Sequence, residues 1–198
     1  MKHISPGEYN GGVGTVRAQR IRDLAIELGA FGESKVTLSS GARSGRYFDG
    51  KKVTLSPEGA YEVGKAVFEE IAPFAVDAVG GPTIGADPIA AAVSLVSHLE
   101  GSPLPAFIVR EQAKEHGLQQ QVYGHLPPGA SVAIVDDVIT SGGSILRAID
   151  AVEALGCRVA VVVALVDRHE GGSDRLRRMG YQFRAFLGYR EAGVVEIE

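Results

Sequence analysis

Ser131-Val132-Ala133-Ile134-Val135-Asp136-Asp137-Val138-Ile139-Thr140-Ser141-Gly142-Gly143-Ser144-Ile145 is the stretch that decides the fold. Its first half is a short apolar run bounded by polar residues, the pattern of a buried parallel strand. Asp136 and Asp137 follow at the strand's carboxyl end, then a turn of Thr, Ser and Gly. From Ile145 the apolar spacing becomes helical, through Ala148, Ile149, Val152 and Leu155. The pattern thus puts an acidic pair and a hydroxyl- and glycine-rich turn where a strand feeds a helix. In open α/β sheets that crevice takes ligands.

The chemistry of the stretch suits a phosphorylated sugar. Backbone N–H groups of Ser141-Gly142-Gly143-Ser144 can close on a phosphate because glycine has no Cβ in the way, and the helix dipole adds positive charge there. Asp136 and Asp137 would repel a phosphate at contact, but they accept hydrogen bonds from hydroxyls and tolerate a nearby magnesium ion. The chain has neither a Gly-x-x-x-x-Gly-Lys-Ser/Thr phosphate loop nor, in this stretch, a dinucleotide fingerprint. The plainer alternative is an ordinary strand–turn–helix corner with an N-cap serine.

Outward from this centre, the remaining segments alternate in the same way. A helix capped by Thr15 is expected through Ile21, Leu24, Ala25 and Leu28, with Gly29 as its stop, preceded by a tail over residues 1–14. Ser56-Pro57 opens a second helix. Ala75 to Val79 reads as a strand, and Gly80 to Pro88 as a second strand-to-helix loop with Asp87 at N-cap and Pro88 at N1. Pro105 to Val109, Arg158 to Val166 and Tyr181 to Leu187 read as further strands, with a short basic helix over Ser173 to Met179. Glu111 to Gly124 reads as a long loop, of the kind that carries function in compact domains. The order gives an α/β protein, a mostly parallel sheet flanked by helices.

Length and composition bound the function. At 198 residues, 45% hydrophobic and 22% charged, a single domain over 15–198 is expected; residues of roughly 15–50 plus a C-terminal segment would form a small hood. A net charge of −4 gives no support for nucleic-acid binding, and no apolar run approaches the ~20 residues of a membrane span. The one cysteine, Cys157, excludes an intrachain disulfide. A cytoplasmic location is expected.

Several side chains stand out as ligand groups. Tyr47 or Phe48 offers a ring to a flat heterocycle, or the two form a core-facing pair. Arg110, Lys114 and His116 are cations suited to a diphosphate, or belong to a solvated loop. Arg168, at a strand's carboxyl end, can fork onto a carboxylate or form a surface salt bridge with Asp167 or Glu170.

Val135 to Ser144 resembles the phosphoribosyl-diphosphate signature of the type I phosphoribosyltransferases. The resemblance implies that the donor is held by Asp136, Asp137, Val138, Ile139, Thr140, Ser141, Gly142, Gly143 and Ser144, the acidic pair on the ribose hydroxyls and the turn on the 5-phosphate. Three further segments resemble the orotate phosphoribosyltransferases. Leu38, Ser40, Gly41, Ser44, Tyr47 and Phe48 match a run against which orotate packs, with Arg43 for a common lysine and Ser39 where some members carry a donor-touching lysine. Arg110, Lys114, His116 and Gly117 match an Arg-Lys-x-x-Lys-x-His-Gly run. Glu111 departs from it, and Gln119, Gln120 and Gln121 replace a glycine-richer segment. Asp167, Arg168 and Glu170 match an Asp-Arg-x-Glu run whose arginine binds the orotate carboxylate.

The resemblance covers the chain from about Thr15 onward. It implies transfer of a phosphoribosyl group from 5-phosphoribosyl 1-diphosphate to orotate with magnesium. Arg110, Lys114, His116, Asp136 and Asp137 would be catalytic, while Arg168, Tyr47, Phe48 and Thr140 would bind orotate. It also implies a homodimer whose loop, Glu111 to Gly124, closes the partner's site. Glu111 would either face the site or pair with Arg110 or Lys114. The alternatives are a purine phosphoribosyltransferase, with no use for Arg168, and a non-catalytic nucleotide-binding regulator.

Overall fold

The computed structural model describes residues 11–33, 46–111, 121–189 and 195–197. Along the chain the elements are α1 (Gly11–Glu27), paired strands β1 (Phe31–Glu33) and β2 (Arg46–Phe48), α2 (Lys51–Thr54), α3 (Pro57–Ile71) and β3 (Ala78–Pro82). They continue with α4 (Ala86–Leu99), β4 (Ala106–Val109), β5 (Val122–Gly124), β6 (Ser131–Ile139), α5 (Gly143–Glu153), β7 (Arg158–Asp167), α6 (Gly172–Arg178), β8 (Phe183–Tyr189) and β9 (Val195–Ile197).

Strand β6 sits at the centre of a seven-stranded sheet of order β5-β4-β3-β6-β7-β8-β9. Strands β4, β3, β6, β7 and β8 run parallel, and β5 and β9 are antiparallel edges. Alternate β6 residues face opposite layers, as the twofold period of a strand requires. Ala133 and Val135 join a core with α1, α3 and α4, while Val132 and Ile134 join one with α5 and Leu176 of α6.

Some boundaries depart from the sequence expectation. Gly80, Gly81 and Pro82 lie in β3 rather than in a loop. A Cβ on Gly80 would strike Phe107, and one on Gly81 the backbone of Val135. These glycines are there for close strand packing, which local composition does not distinguish from a turn. Helix α1 starts at Gly11, so Thr15 lies inside it and is not its cap, and the helix takes in four residues of the expected tail. Tertiary burial of Ala18, Ile21, Leu24 and Ala25 carries the helix through a glycine-bearing start. The N-cap of α4 is Gly85, so Asp87 sits within the first turn, where its charge still suits the dipole. Ser56 does cap α3, accepting from the Gly59 N–H at 3.1 Å.

The structure divides the aromatic pair. Phe48 is buried, its ring 5.0 Å from that of Phe31, which in turn meets Tyr189 at 5.2 Å. Phe48 is therefore a core side chain. Tyr47 is 41% exposed and lies across Gly32 of the paired strand. Phe48→Ala is expected to cost about 3 kcal/mol of unfolding free energy, and Tyr47→Ala under about 1 kcal/mol, measured by denaturant unfolding. Equal losses would refute this division.

Candidate active site

Asp136 and Asp137 occupy the sixth and seventh positions of β6, inside the strand rather than after it, and are 6% and 4% exposed. Asp136 Oδ1 accepts from the Asp137 N–H at 3.0 Å, and Asp136 Oδ2 accepts from Ser144 Oγ at 3.3 Å. Asp137 is flanked by two glycines. A Cβ on Gly50 would lie 2.6 Å from Asp137 Cβ, and one on Gly85 would lie 2.5 Å from Asp137 Oδ1. Only a glycine on each side lets the segment before α2 and the turn before α4 close on the carboxylate.

Burial, and then the neighbouring Asp137 carboxylate, push Asp136 up to about 8, against the hydrogen bonds from Asp137 and Ser144. Near neutral pH the Asp136 carboxyl therefore holds its proton. Lys51 Nζ lies 3.2 Å from Asp137 Oδ2 and 3.6 Å from Asp49 Oδ1. Burial lowers the Lys51 pKa, and the Asp137 and Asp49 carboxylates more than offset this, so it is raised. The sequence reading missed Lys51. The only signal was its place four residues beyond Tyr47, and no local spacing connects it with Asp137, 86 positions away.

The turn after β6 has the expected form with a different cap. Gly142, at φ 77°, is the N-cap of α5, and no side chain caps the helix. Ser144 is spent on Asp136 instead. The first N–H groups of α5 have no acceptor within the helix, which leaves them for an anion. The turn is braced from below: the Gly172 N–H donates to the Thr140 carbonyl at 2.9 Å. Ile139 is buried in the core that includes α5, and Val138, partly buried, packs against the opposite core, so toward a ligand these two offer backbone.

Arg168 follows β7, and its N–H donates to the Ile139 carbonyl at 3.1 Å, which sets it beside the turn. Its guanidinium pairs with Glu170 at 2.7 Å. Arg110 follows β4. It is exposed, lies 6.0 Å from the Tyr123 ring, and its N–H donates to the Gln121 carbonyl. Residues 122–124, expected in a loop, form β5, because a long loop's return arm can pair with the open edge of β4. Glu111 pairs with Arg147 at 2.9 Å, not with Arg110. Lys114 and His116 lie outside the described residues, as do Leu38, Ser39, Ser40, Gly41, Arg43, Ser44, Gly117, Gln119 and Gln120.

The carboxyl ends of β4, β3, β6 and β7 thus present a cation, a glycine turn, an acidic pair with an anion-ready turn, and an arginine. Residues 60–178 match the phosphoribosyl transferase domain family. The chain is 42% identical to the orotate phosphoribosyltransferase of a Nostoc species over 87% of this chain and 83% of that protein. The chain belongs to the orotate phosphoribosyltransferase family. Two crystal structures of the Mycobacterium tuberculosis orotate phosphoribosyltransferase are similar. One, with Fe(III) dicitrate, has a TM-score of 0.75 at 34% identity, covering 91% of this chain and 99% of that one. The other, with 5-phospho-α-D-ribosyl 1-diphosphate, has a TM-score of 0.69 at 28% identity, covering 95% and 96%. The type I phosphoribosyltransferase fold expected from the sequence is the fold observed.

The raised Asp136 pKa has a pH signature. The folded state keeps a proton that the unfolded chain loses near pH 4, so stability falls as pH rises from about 4 to about 8 and is flat above. Asp136→Asn keeps an oxygen for the Asp137 N–H and carries no charge. Its stability advantage over the parent is expected to grow between pH 5 and pH 8, by a few kcal/mol at most. A constant difference across that range would mean that Asp136 is ionised throughout.

Proposed function

We infer that this chain transfers the 5-phosphoribosyl group of 5-phosphoribosyl 1-diphosphate to orotate, releasing diphosphate and forming orotidine 5-phosphate in pyrimidine biosynthesis. The observation that carries the reading is the buried acid pair in β6 joined by Ser144 to an anion-ready helix start, with Arg168 tied to the same turn. Bond breaking at the anomeric carbon leaves positive charge on the sugar ring and negative charge on the departing diphosphate. Asp136 and Asp137 would accept the ribose hydroxyls, and the Asp137 carboxylate would favour the cationic ring. Arg110, with Lys114 and His116 assigned by the family motif, would balance the leaving group. Catalysis on this reading is positioning and electrostatics.

Arg168 would exchange Glu170 for the orotate carboxylate, with Thr140 and the exposed ring of Tyr47 beside the base. Magnesium fits a site of this kind. Among the described residues no group of three or more His, Cys, Asp or Glu could cage a metal, and magnesium is commonly held by one or two carboxylates together with substrate phosphates and water. Asp137, and Asp136 in its ionised form, are the carboxylates present for it. When bound, the ion would neutralise diphosphate charge.

The family resemblance supports a homodimer in which the segment from Glu111 to Gly124 completes the partner's site. The cytoplasmic location rests on the sequence expectation; among the described residues no helix is long and apolar enough to cross a membrane.

The assay follows orotate absorbance with donor and magnesium, beside adenine, hypoxanthine and uracil. Orotate is expected to be consumed. Turnover of a purine without orotate would assign the chain to the purine enzymes, and turnover of none would favour a regulator. Arg168→Ala is expected to raise the KM for orotate roughly 10- to 100-fold, the loss of one charge-assisted contact, with the donor KM little changed. The reverse pattern would remove Arg168 from the acceptor site.

Mixing an Asp137→Asn chain with a Lys114→Ala chain tests the shared site. With the segment acting in trans, each hybrid dimer holds one site with both defects and one with neither, so activity returns. No recovery after demonstrated subunit exchange would place the segment in its own chain's site.

A further inference from the structure

Lys51 belongs to none of the motifs assigned to the reaction, yet its ammonium reaches the buried acid pair. The contact joins two separate parts of the chain. Lys51 opens α2, three residues after the core side chain Phe48, and its partner Asp137 lies in the central strand. The base beneath Lys51 is firmly set: the Asp49 N–H donates to the Ala30 carbonyl at 2.9 Å, Val53 and Thr54 are buried, and Gly50 lies against Asp137. The Lys51 side chain is 40% exposed while that of Asp137 is 6% exposed. The ammonium therefore stands at the rim, between the carboxylate and the entrance, with part of its surface open to an arriving molecule.

A pair between two solvated side chains would contribute little. This pair is different in kind, because the carboxylate is almost closed off from water and stands next to a second carboxyl. A donor carrying a phosphate and a diphosphate must bring its ribose to that place. Uncompensated carboxylate charge there opposes its approach, and one ammonium between them cancels a unit of it.

We propose that Lys51 is a positioning residue for the phosphoribosyl donor: it holds the Asp137 carboxylate and offsets its charge, so that a polyanionic donor can set its ribose hydroxyls on the acid pair. The proposal rests on the reading of this crevice as a donor site. The effect belongs to binding more than to bond breaking, because charge left on Asp137 does not disfavour a cationic ring. Removing Lys51 is expected to raise the donor KM with little change in kcat.

The test compares Lys51→Met, Lys51→Gln and Lys51→Arg with the parent, each with a thermal melt. Lys52→Met is the control, since Lys52 Nζ instead donates to the Gly29 carbonyl at 2.8 Å. Both neutral variants are expected to raise the donor KM about tenfold, equivalent to about 1.4 kcal/mol. The expected change in kcat and in the orotate KM stays within about threefold, and the donor defect shrinks as ionic strength rises. Lys51→Arg is expected to recover most of the loss.

An unchanged donor KM in a folded neutral variant would overturn the proposal. So would a raised orotate KM alone, a parent-like Lys51→Gln, or an arginine variant as impaired as methionine. Titration calorimetry of donor and magnesium without acceptor separates the two readings. If the parent binds donor but transfers it only to a purine, the function proposed above fails while the Lys51 inference is still decided by the variants' donor affinities.

Discussion

Two carboxyl groups stand side by side near the end of the central strand of this protein, both almost closed off from water. Taking an ion out of water costs several kcal/mol, and two adjacent carboxylates also repel each other. A valine at either position would serve the sheet better. The surroundings lower that cost without removing it. Asp136 is held neutral near pH 7 and accepts two hydrogen bonds, from the Asp137 N–H and from Ser144. Asp137 has Lys51. Each group that meets the acid pair is thereby committed, and the commitments reach three segments of the chain: the start of α2, the strand itself and the first turn of α5.

The close quarters follow from the same demand. Gly50 and Gly85 come from segments far apart in sequence, and neither has space for a side chain against Asp137. Gly142 takes a backbone conformation that favours glycine and leaves the start of α5 without a side-chain cap. An uncapped helix start costs stability and leaves donors for an anion. In this crevice good folding chemistry has been given up at two points, the buried acids and the open helix start. Those two points are the ones a sugar phosphate would engage.

The sequence carried the features that depend on neighbouring residues. The strand–turn–helix at Ser131 to Ile145, the serine cap with Pro57 behind it, and the arginine just after β7 all depend on local pattern, and all are present, with the acid pair inside the strand rather than after it. Long-range contacts escaped it. Gly80 and Gly81 looked like a turn because nothing in their own segment reports that Phe107 and Val135 will press on them. Phe48 and Tyr47 look alike in sequence, and only pairing with Phe31 and Gly32 separates core ring from open ring. For Glu111 the sequence suggests the site or the cations of its own segment, but its partner is Arg147 of α5, 36 residues on. Lys51 was overlooked for the same reason.

The Arg168–Glu170 pair bears on what kind of recognition this crevice can provide. A free guanidinium would bind a ligand carboxylate with the full gain of a charge-assisted contact. Here the guanidinium already holds a carboxylate at 2.7 Å, so binding a ligand is an exchange of one partner for another. The net gain in affinity is then smaller than the strength of the new contact. Discrimination is not reduced in the same way. A base without a carboxylate offers nothing in exchange, and by occupying the place it would leave Arg168 either bound to Glu170 and in its path or stripped of any partner. Selectivity is a difference between ligands, and on the proposed reading an arginine with a resident competitor would keep that difference while holding an acceptor loosely enough to release the product.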